Sequence, residues 1–477
     1  MHINYRDDEL KKYLKNKKVA VLGLGRSGIS AVEALLKFEA IVFISEADKN
    51  AASSDSFKKI NQIKRKYPLI KINHEFGTHS EKILDNDLII VSPGVPFDHP
   101  VIKKAIKNGL PVWSELELGY RLTQFKHIAA VTGTNGKTTT VSLLGDMCMR
   151  DGKKTLVAGN IGNPLCNAVF SKIVFDMLVL EVSSYQLESI DSFHPNVSVI
   201  LNLTNDHLAR HKTMRNYAAA KERVFLNQTE KDFSILNADD PWCKSMENKT
   251  RAKVILFSER PMKMESVFYD NKIKKIIALF PSQSIEFPLP THLPGLHNIS
   301  NSCAAIACAL KLNLSLKSIR ASLMKFKGVE HRIEKVKIVR GITYINDSKG
   351  TNVDSTLKAI ESFSEPMLLI LGGQDKGGSY LPIKSIIHKI NRSKERNKAR
   401  IKGILLIGEA SEKIFAELKG ECDIFFCKTV KNAVKESYKR AVRGDIILFS
   451  PACASFDQFK NFEDRGKQFK QFVKDLQ

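Results

Sequence analysis

The chain has 477 residues, of which 43% are hydrophobic and 26% are charged. This is ordinary for a soluble globular protein and too long for one ordinary core. No stretch comes near the roughly 18 consecutive apolar residues that a membrane-spanning helix needs, and the charged N-terminus MHINYRDDELKKYLKNKK lacks the apolar region of a secretory signal. The eight cysteines form no C-x-x-C pair, so we expect reduced thiols in a cytoplasmic protein.

The net charge of +23 raises the question of nucleic-acid binding. The lysines are dispersed, and their densest cluster, residues 389–402, has no interleaved aromatic residues. We therefore expect no nucleic-acid partner. A positive field also favours anionic substrates such as ATP and a nucleotide sugar.

Residues 1–115 form the first predicted segment. A strand over Val19–Leu22 runs into Gly23-Leu-Gly25-Arg26-Ser27-Gly28 and a helix, and a second strand ends at Glu46, 18 positions after Gly28. This glycine pattern is typical of a Rossmann-like unit whose helix N-terminus faces a diphosphate. Taken alone it indicates a dinucleotide site, so an NAD-dependent oxidoreductase is one alternative.

The most informative pattern lies in the second segment, residues 116–328. An apolar strand over Ile128–Val131 runs into GTNGKT (133–138) and then into a helical stretch. Backbone N–H groups can cradle a polyphosphate there, Lys137 can reach the outer phosphates, and the hydroxyl of Thr138 can ligate Mg²⁺. Two residues separate the glycines where the strict motif has four. This predicts a variant phosphate loop; the alternative is a glycine turn with a chance Lys-Thr pair.

Further candidate residues follow in the same segment. We place Glu181 and His207 at the carboxyl ends of strands predicted over Met177–Val182 and Val197–Leu203, beside the phosphate loop. A carboxylate, an imidazole and a threonine hydroxyl suit Mg²⁺ or Mn²⁺ better than zinc. Taken singly, a salt-bridged carboxylate and a core histidine are the alternatives. Lys221 lies in an alanine-rich helix, where a surface lysine is the generic interpretation.

Two more elements complete this segment. Lys253–Pro290 alternates short apolar runs with turn residues, which predicts a small antiparallel insertion. An apolar, alanine-rich helix is predicted over Asn298–Leu310.

Residues 329–477 repeat the strand–loop–helix pattern. Strands are predicted over Ile342–Ile345, Met367–Leu371, Ile404–Ile407 and Ile446–Phe449. The loops NDSKGTN (346–352), GGQDKGG (372–378) and SPACASFD (450–457) follow three of them and share one edge if the sheet is parallel. Their lysines can grip a carboxylate or a phosphate, or are solvated loop charges. Arg332 is a candidate hinge arginine that clamps nucleotide on closure, or an exposed side chain.

Nine motifs occur in order along the chain. They are TGTNGKTT (132–139), GNIGNPL (159–165), LEVSSYQLE (180–188), LNADD (236–240), GLHNISN (295–301), HRIE (331–334), INDSKGTN (345–352), LGGQDKGG (371–378) and SPACASFDQFKNFEDRG (450–466). Together they resemble the cytoplasmic Mur ligases over essentially the whole chain. The phosphate loop is shared with all Mur ligases and with folylpolyglutamate synthetases, whereas NDSKGTN and SPACASFDQFKNF resemble the branch that adds D-glutamate.

The resemblance implies an α/β fold with three domains. These would be a Rossmann-like UDP-sugar-binding domain (1–115), a central ATP-binding domain with a parallel sheet of the P-loop ATPase type (116–328), and a Rossmann-like amino-acid-binding domain (329–477). The implied activity is that of an ADP-forming acid–D-amino-acid ligase, which adds D-glutamate to UDP-N-acetylmuramoyl-L-alanine through an acyl phosphate. The implied setting is peptidoglycan precursor synthesis by a monomeric cytoplasmic enzyme. The alternatives are another Mur ligase, a folylpolyglutamate synthetase-like ligase and a nucleic-acid-binding ATPase.

The resemblance also assigns roles to individual residues. The implied ATP-binding residues are Gly133, Thr134, Asn135, Gly136, Lys137, Thr138, Thr139, Asn298, Asn301, Arg332 and Asp347. The implied ligands of two Mg²⁺ ions, or of Mn²⁺, are Thr138, Glu181, His207 and a carbamylated Lys221. The implied catalytic residues are Lys137, Lys221, His207 and Lys349. The implied substrate-binding residues are Gly23, Gly25, Arg26, Ser27, Gly28, Glu46 and Asn160 for the UDP-sugar, and Thr351, Lys376, Ser455 and Phe462 for D-glutamate.

Three positions depart from the family's usual pattern. Glu46 stands where an aspartate is common, and Ala209 stands where an aspartate often follows the His-Leu or His-Met pair. Gly350 replaces a usual alanine, and we expect it to loosen its loop. None of these changes removes a reacting group.

Overall fold

The computed structural model describes residues 12–392 and 400–476. The described strands form three sheets, of five, nine and six strands, connected by helices. The α/β class expected from the sequence is confirmed. The first 11 residues and positions 393–399 of the lysine-rich stretch, about which the sequence made predictions, lie outside the described residues.

The first sheet is entirely parallel, in the order β3-β2-β1-β4-β5. Its strands are β1 (Lys18–Leu22), β2 (Ile41–Glu46), β3 (Ile72–Phe76), β4 (Leu88–Val91) and β5 (Val112–Ser114). Its helices are α1 (Arg26–Lys37), α2 (Asp55–Lys64), α3 (Pro100–Lys107) and α4 (Glu115–Leu122). Because the chain order reverses between β1 and β4, a crevice is expected at the carboxyl ends of these two strands. The glycine turn that follows β1 lies there.

The central sheet has the order β14-β13-β12-β11-β10-β9-β6-β8-β7. Its strands are β6 (His127–Thr132), β7 (Thr155–Gly159), β8 (Met177–Glu181), β9 (Val197–Ile200), β10 (Phe233–Asn237), β11 (Lys253–Ser258), β12 (Ser266–Asp270), β13 (Lys275–Phe280) and β14 (Gln283–Phe287). Its helices are α5 (Lys137–Arg150), α6 (Ser184–Leu187), α7 (Leu208–His211), α8 (Met214–Glu222), α9 (Pro241–Lys244), α10 (Leu296–Lys311) and α11 (Leu316–Lys325). Since β6 lies between β8 and β9 and is parallel to both, its phosphate loop leaves the middle of the sheet.

The third sheet has the order β15-β16-β20-β17-β18-β19, parallel except for the β15–β16 pair. Its strands are β15 (Glu334–Val339), β16 (Ile342–Asn346), β17 (Met367–Gly372), β18 (Ile401–Ile407), β19 (Asp423–Lys428) and β20 (Ile446–Phe449). Its helices are α12 (Val353–Ile360), α13 (Leu381–Asn391), α14 (Ser411–Leu418), α15 (Val430–Arg440) and α16 (Phe462–Lys474). Because β20 lies between β16 and β17, the loops after these three strands leave the same edge of the sheet, as the sequence predicted.

The chain divides into two compact units. One holds the first two sheets and Ser300–Leu323, and the other holds the third sheet and Leu289–Ile299. All eight cysteines are free thiols. Within the described part of the chain, no helix has the length and apolar character needed to cross a membrane.

The structure corrects the interpretation of residues 253–290. The strand β11 runs parallel to β10, and β12 runs parallel to β11, so this region extends the central sheet and is not a separate antiparallel insertion. The predicted antiparallel pairing is found among the last three strands of this region, where β13 pairs with both β12 and β14. The physical reason is that β11 carries a buried apolar run, Ile255–Phe257, which is typical of a strand covered on both faces.

Candidate active site

The loop between β6 and α5 has a backbone that glycine makes possible. Gly133 and Gly136 have φ angles of 146° and 85°, which glycine adopts without strain. A Cβ at Gly136 would lie only 2.2 Å from Oδ1 of Asn301. Gly136 is also the N-cap of the 14-residue helix α5 and offers no side chain to the N–H groups of the first turn. The helix N-terminus is therefore suited to bind an anion.

Two residues that the sequence analysis missed hold this loop in place. The side chain of Asn202 accepts the N–H of Asn135 at 2.8 Å and donates to its carbonyl at 3.1 Å. The hydroxyl of Tyr217 lies 3.1 Å from Oγ1 of Thr134. Asn202 could have been noticed as a polar residue directly after a buried apolar run. Tyr217 carried no signal, because an aromatic residue at helical spacing is usually part of a core.

Lys137 lies over the loop that it follows. Its ammonium nitrogen donates to the carbonyl oxygens of Gly133 at 2.8 Å and Thr134 at 2.7 Å. These bonds hold a positive charge against a loop that is already shaped for an anion. Both features fit the outer phosphates of a nucleotide.

A buried carboxylate contacts the first turn of α5. Oε2 of Glu181, whose exposed fraction is 2%, accepts the hydroxyl of Thr138 at 2.7 Å. Its Oε1 accepts Nδ2 of Asn160 at 2.8 Å. Carboxylate and hydroxyl oxygens are the ligands that Mg²⁺ prefers, so the residues present fit the metal that the sequence predicted.

Lys221 is buried, with an exposed fraction of 1%. Its ammonium nitrogen lies 2.8 Å from the carbonyl oxygen of Gly133 and 3.3 Å from Oγ1 of Thr132. Burial lowers the pKa of Lys221 well below its ordinary value, and the charge of Lys137 lowers it further. The generic interpretation of a surface lysine is therefore wrong. The structure places a buried amine against the phosphate loop.

His207 does not end a strand, which corrects the sequence-based placement. The strand β9 ends at Ile200 because the N–H of Leu203 bonds Oδ2 of Asp240 at 2.8 Å, outside the sheet ladder. His207 precedes α7 and has a φ of 56°, and its Nδ1 lies 2.8 Å from the hydroxyl of Tyr185. Its side chain is 41% exposed, which excludes the core-histidine alternative.

The metal ligands predicted from the sequence do not form a cluster of acidic, histidine and cysteine side chains in the described structure. Across residues 12–392 and 400–476, no group of three or more His, Cys, Asp and Glu side chains could hold a metal ion by itself. Thr138 and Glu181 are in direct contact, Lys221 contacts the loop, and the His207 ring lies 6.3 Å from the ring of Tyr217.

A cavity of about 550 Å³ opens at the crevice of the first sheet. The predicted residues Gly23, Gly25, Arg26, Ser27, Glu46 and Asn160 all line it. Gly28 is not among the lining residues; a Cβ there would lie 1.9 Å from the carbonyl oxygen of Gly23, so this glycine lets α1 pack against the turn. Glu46 reaches the turn despite its extra methylene, since its Oε2 accepts the N–H of Leu24 at 2.6 Å.

The cavity includes two histidines that the sequence analysis did not single out. His79 and His99 line it, with ring centroids 5.3 Å apart. Nδ1 of His79 lies 2.7 Å from Oγ of the buried Ser45. No motif marks these residues, so only the fold identifies them.

The third sheet places a buried acid at the end of β16. Asp347 has no exposed surface; Oγ of Ser450 donates to its Oδ2 at 2.7 Å, and its Oδ1 lies 3.5 Å from Nη1 of Arg332. Burial raises the pKa of Asp347, and the charge of Arg332 opposes this shift. The predicted residue Asn298 belongs to the same compact unit, and its Nδ2 donates to the carbonyl of Pro294 at 2.7 Å.

Gly350 tightens its loop, contrary to the expectation from the sequence. Its N–H donates to the carbonyl of Asp347 at 2.8 Å, and its carbonyl accepts the N–H of Ala452 at 2.9 Å. A Cβ at this position would lie 2.5 Å from Oδ2 of Asp347 and 2.7 Å from Oγ of Ser450. The glycine therefore permits close packing between the loops after β16 and β20.

The remaining predicted residues lie on the same edge of the third sheet. Lys349 has its ammonium nitrogen 5.4 Å from the ring centroid of Phe462. The N–H of Gln374 donates to the carbonyl of Ala454 at 2.9 Å, which joins the loops after β17 and β20. Thr351 is half-buried, Ser455 is buried and Lys376 is exposed.

Three family models match this chain. They are the Mur ligase MurD-like N-terminal domain over residues 17–114, the Mur ligase middle domain over 131–309 and the Mur ligase glutamate ligase domain over 331–453. The chain belongs to the Mur ligase family. This Mur ligase is 42% identical over 472 residues to the UDP-N-acetylmuramoylalanine–D-glutamate ligase of Koribacter versatilis, covering 97% of this chain and 98% of the relative. It is 43% identical over 470 residues to the enzyme of that name from Clostridioides difficile, with 97% and 99% covered.

A solved structure shows the same fold for this Mur ligase. The MurF ligase of Thermotoga maritima in complex with ADP matches with a TM-score of 0.57 and 16% identity, covering 97% of this chain and 96% of that one.

Proposed function

We propose that this Mur ligase joins D-glutamate to UDP-N-acetylmuramoyl-L-alanine, with conversion of ATP to ADP and phosphate, in peptidoglycan precursor synthesis. The curated relatives named for this reaction match 97% of the chain. One observation carries the proposal: Asn160 lines the cavity of the first sheet and also donates to Glu181, which contacts Thr138 of the phosphate loop. The acceptor and the activating nucleotide would therefore bind next to each other, on either side of Asn160 and Glu181.

The acceptor half of the site suits a UDP-sugar. The cavity volume of about 550 Å³ lies within the range of small-molecule sites, roughly 300–1,000 Å³. Arg26 lines the cavity and is the first residue of α1, so a side-chain charge and a helix N-terminus both favour a diphosphate. Asn160, at the central-sheet side, is placed to contact the muramoyl portion.

The reaction has to activate a carboxylate, because an amine attacking it directly would have to displace a hydroxide-like oxygen, which is a poor leaving group at neutral pH. In the first step, an oxygen of the L-alanyl carboxylate attacks the terminal phosphorus of ATP, and the bond to ADP breaks. In the second, the amine of D-glutamate attacks the acyl phosphate carbonyl, loses a proton, and the tetrahedral intermediate releases phosphate. Lys137 and the N–H groups of the loop stabilise the negative charge that develops in both steps. One well-placed donor is worth about 3–4 kcal/mol.

The metal site belongs to the same proposal. Thr138, Glu181, His207 and a modified Lys221 would hold two Mg²⁺ ions, or Mn²⁺. Bound metal neutralises charge on the phosphates and polarises their oxygens. Glu181 and Thr138 orient one another through their 2.7 Å hydrogen bond, and Asn160 fixes the second carboxylate oxygen.

The modification we propose for Lys221 is carbamylation. Its amine is buried, and burial lowers its pKa well below the ordinary value, which favours the neutral, nucleophilic form. The amine attacks carbon dioxide, a C–N bond forms and one proton is released. The resulting carbamate would supply anionic oxygen ligands in addition to those of Glu181.

The third sheet supplies the amino-acid site and part of the nucleotide site. We assign D-glutamate binding to Thr351, Lys376, Ser455 and Phe462, and place Lys349 beside the transferred phosphate. We assign the adenosine to Asn298, Asn301, Arg332 and Asp347. Support comes from the meeting of the loops after β16, β17 and β20 at one sheet edge.

We further propose three domains, over residues 1–115, 116–328 and 329–477, in a monomeric cytoplasmic enzyme. Closure of the third domain would exclude water and protect the acyl phosphate from hydrolysis.

Phosphate release tests the function. The assay contains ATP and Mg²⁺, with either UDP-N-acetylmuramoyl-L-alanine or a folate as acceptor and either D- or L-glutamate as donor. We expect release only with the UDP-linked acceptor and D-glutamate. Release with folate and L-glutamate would instead identify a folylpolyglutamate synthetase-like ligase, and a requirement for another amino acid would identify a different Mur ligase.

A further inference from the structure

Arg465 is a fully buried cation in the first turns of α16, with an exposed fraction of 1%. Its Nε donates to Oγ of Ser348 at 3.0 Å, and Nη2 donates to the carbonyl of the same residue at 2.8 Å. Nη1 donates to the carbonyls of Ala454 at 3.0 Å and Cys453 at 3.2 Å, and Nη2 also reaches Cys453 at 3.2 Å. One side chain therefore joins three residues from two loops.

These two loops carry the residues assigned to substrates. Ser348 lies between Asp347 and Lys349 in the loop after β16. Cys453 and Ala454 directly precede Ser455 in the loop after β20. Movement of Arg465 would therefore change the spacing between the two groups of substrate residues.

The start of α16 is tied into the same arrangement. Oγ of Ser348 accepts from Arg465 and donates to the carbonyl of Phe462 at 2.9 Å. A Cβ at Gly466 would lie 2.3 Å from Nδ1 of His331, the neighbour of Arg332. The Arg-Gly pair of the FEDRG motif thus fixes α16 against both the loop after β16 and the HRIE segment.

The acceptors of Arg465 are all neutral oxygens. Among the described residues, no ion pair joins its guanidinium to a carboxylate; burial lowers its pKa to about 10, and the negative charges of Asp457 and Asp347 oppose this shift. A buried charge without an ion-pair partner is a poor way to stabilise a fold. The guanidinium of arginine offers five N–H donors in one plane and in fixed directions, and neither a neutral residue nor a lysine can reproduce this arrangement.

We propose that Arg465 is a positioning residue for D-glutamate, setting the separation of the loops after β16 and β20 through its hydrogen-bonded fork. The proposal rests on the proposed function. A misplacement of even about 1 Å in a binding constellation has large kinetic consequences. The effect should therefore fall on D-glutamate and spare the UDP-linked acceptor, whose cavity belongs to the other compact unit.

The test compares Arg465→Lys with a matched variant elsewhere. We expect R465K to raise the KM for D-glutamate about tenfold or more and to leave the KM for the UDP-linked acceptor within about twofold. Arg121 also has a side chain with little exposure, 8%, and its Nε donates to Glu117 in the other unit. We expect R121K to lower the thermal midpoint without changing the KM for D-glutamate.

A second variant keeps the test decisive if R465K does not fold. Ser348→Ala removes only the hydroxyl that bridges Arg465 and Phe462, and we expect a smaller increase of the same KM, about threefold or more. A folded R465K, or in its absence S348A, with an unchanged KM for D-glutamate would overturn the inference. Equal increases in the KM values of D-glutamate and the UDP-linked acceptor would also overturn it. Failure of the unmodified enzyme to use D-glutamate would instead overturn the proposed function.

Discussion

The hydroxyl of Thr138 donates a 2.7 Å hydrogen bond to the buried carboxylate of Glu181. The contact joins the first turn of the helix after the phosphate loop to the end of the neighbouring strand β8. The second carboxylate oxygen accepts Nδ2 of Asn160, which lines the acceptor cavity. Three residues from separate sequence motifs thus connect the two halves of the proposed reaction centre.

Replacement of Glu181 by glutamine should remove the charge while keeping a similar shape. We expect kcat to fall about 100-fold and the Mg²⁺ concentration for half-maximal activity to rise, because a neutral amide is a weaker ligand. A Mg²⁺ titration of phosphate release measures both effects. Glu222→Gln is the control, since the Glu222 carboxylate pairs with Lys249, whose side chain is half exposed. A similar loss in this variant, or an unchanged Mg²⁺ requirement in E181Q, would contradict the assignment.

Lys221→Ala tests the carbamate. We expect activity to fall about 100-fold and to recover in part when short carboxylic acids are added, because they replace the missing oxygen ligands. The unmodified enzyme in ¹³C-labelled bicarbonate should show a carbamate carbon signal in its NMR spectrum, and this signal should be absent from K221A. If activity does not recover and no carbamate signal is seen, Lys221 acts as an unmodified amine.

Gly350→Ala should destabilise the third-sheet unit. The new methyl group would lie 2.5 Å from Oδ2 of Asp347 and 2.7 Å from Oγ of Ser450, so the bond between these side chains must give way. We expect a loss of about 1–3 kcal/mol in the free energy of unfolding, measured by denaturant titration. Gly378→Ala is the matched control, since no atom would contact its Cβ within 4 Å. Equal stability of G350A and G378A would show that the loop accommodates alanine.

His211 should make stability depend on pH. Its Nε2 lies 3.0 Å from Oγ of Ser184, and burial, together with the charge of Arg210, lowers its pKa to about 4. Because the unfolded histidine binds its proton near pH 6.5, the unfolded state holds more protons between these two values, and stability rises with pH across that window. The slope from this one group is at most about 1.4 kcal/mol per pH unit.

The comparison of His211→Gln with the unmodified protein isolates this effect. Acidification from pH 7 to pH 5 should lower the thermal midpoint of the unmodified protein more than that of H211Q. The exposed His292→Gln should behave like the unmodified protein. Parallel midpoint curves for all three proteins would show that His211 takes up its proton without loss of stability.

The elements around the phosphate loop could be predicted from local sequence. An apolar run followed by glycines and a helical pattern identifies β6, the loop and α5 because each feature acts over a few residues. The strands β8 and β17 were predictable for the same reason, with their first residues correct and their last residues off by one. The shared edge of three loops in the third sheet followed from the parallel pattern alone.

Features that depend on distant contacts could not be predicted in this way. His207 lies seven positions beyond the end of β9, because the bond between Leu203 and Asp240 takes the chain out of the sheet. The depth of Lys221 depends on where α8 packs, and its local alanine-rich sequence gives no sign of it. The effect of Gly350 was misjudged for a similar reason. Glycine makes an isolated chain more flexible, but in the fold this glycine allows two loops to pack closely.

The most direct test of the account follows one oxygen atom. If the terminal phosphoryl group of ATP activates the L-alanyl carboxylate, then ¹⁸O placed in that carboxylate must pass to the released phosphate when D-glutamate completes the amide bond. We predict one ¹⁸O atom in the phosphate per turnover, measured by mass spectrometry. Unlabelled phosphate, released alongside the amide product, would contradict the acyl phosphate route.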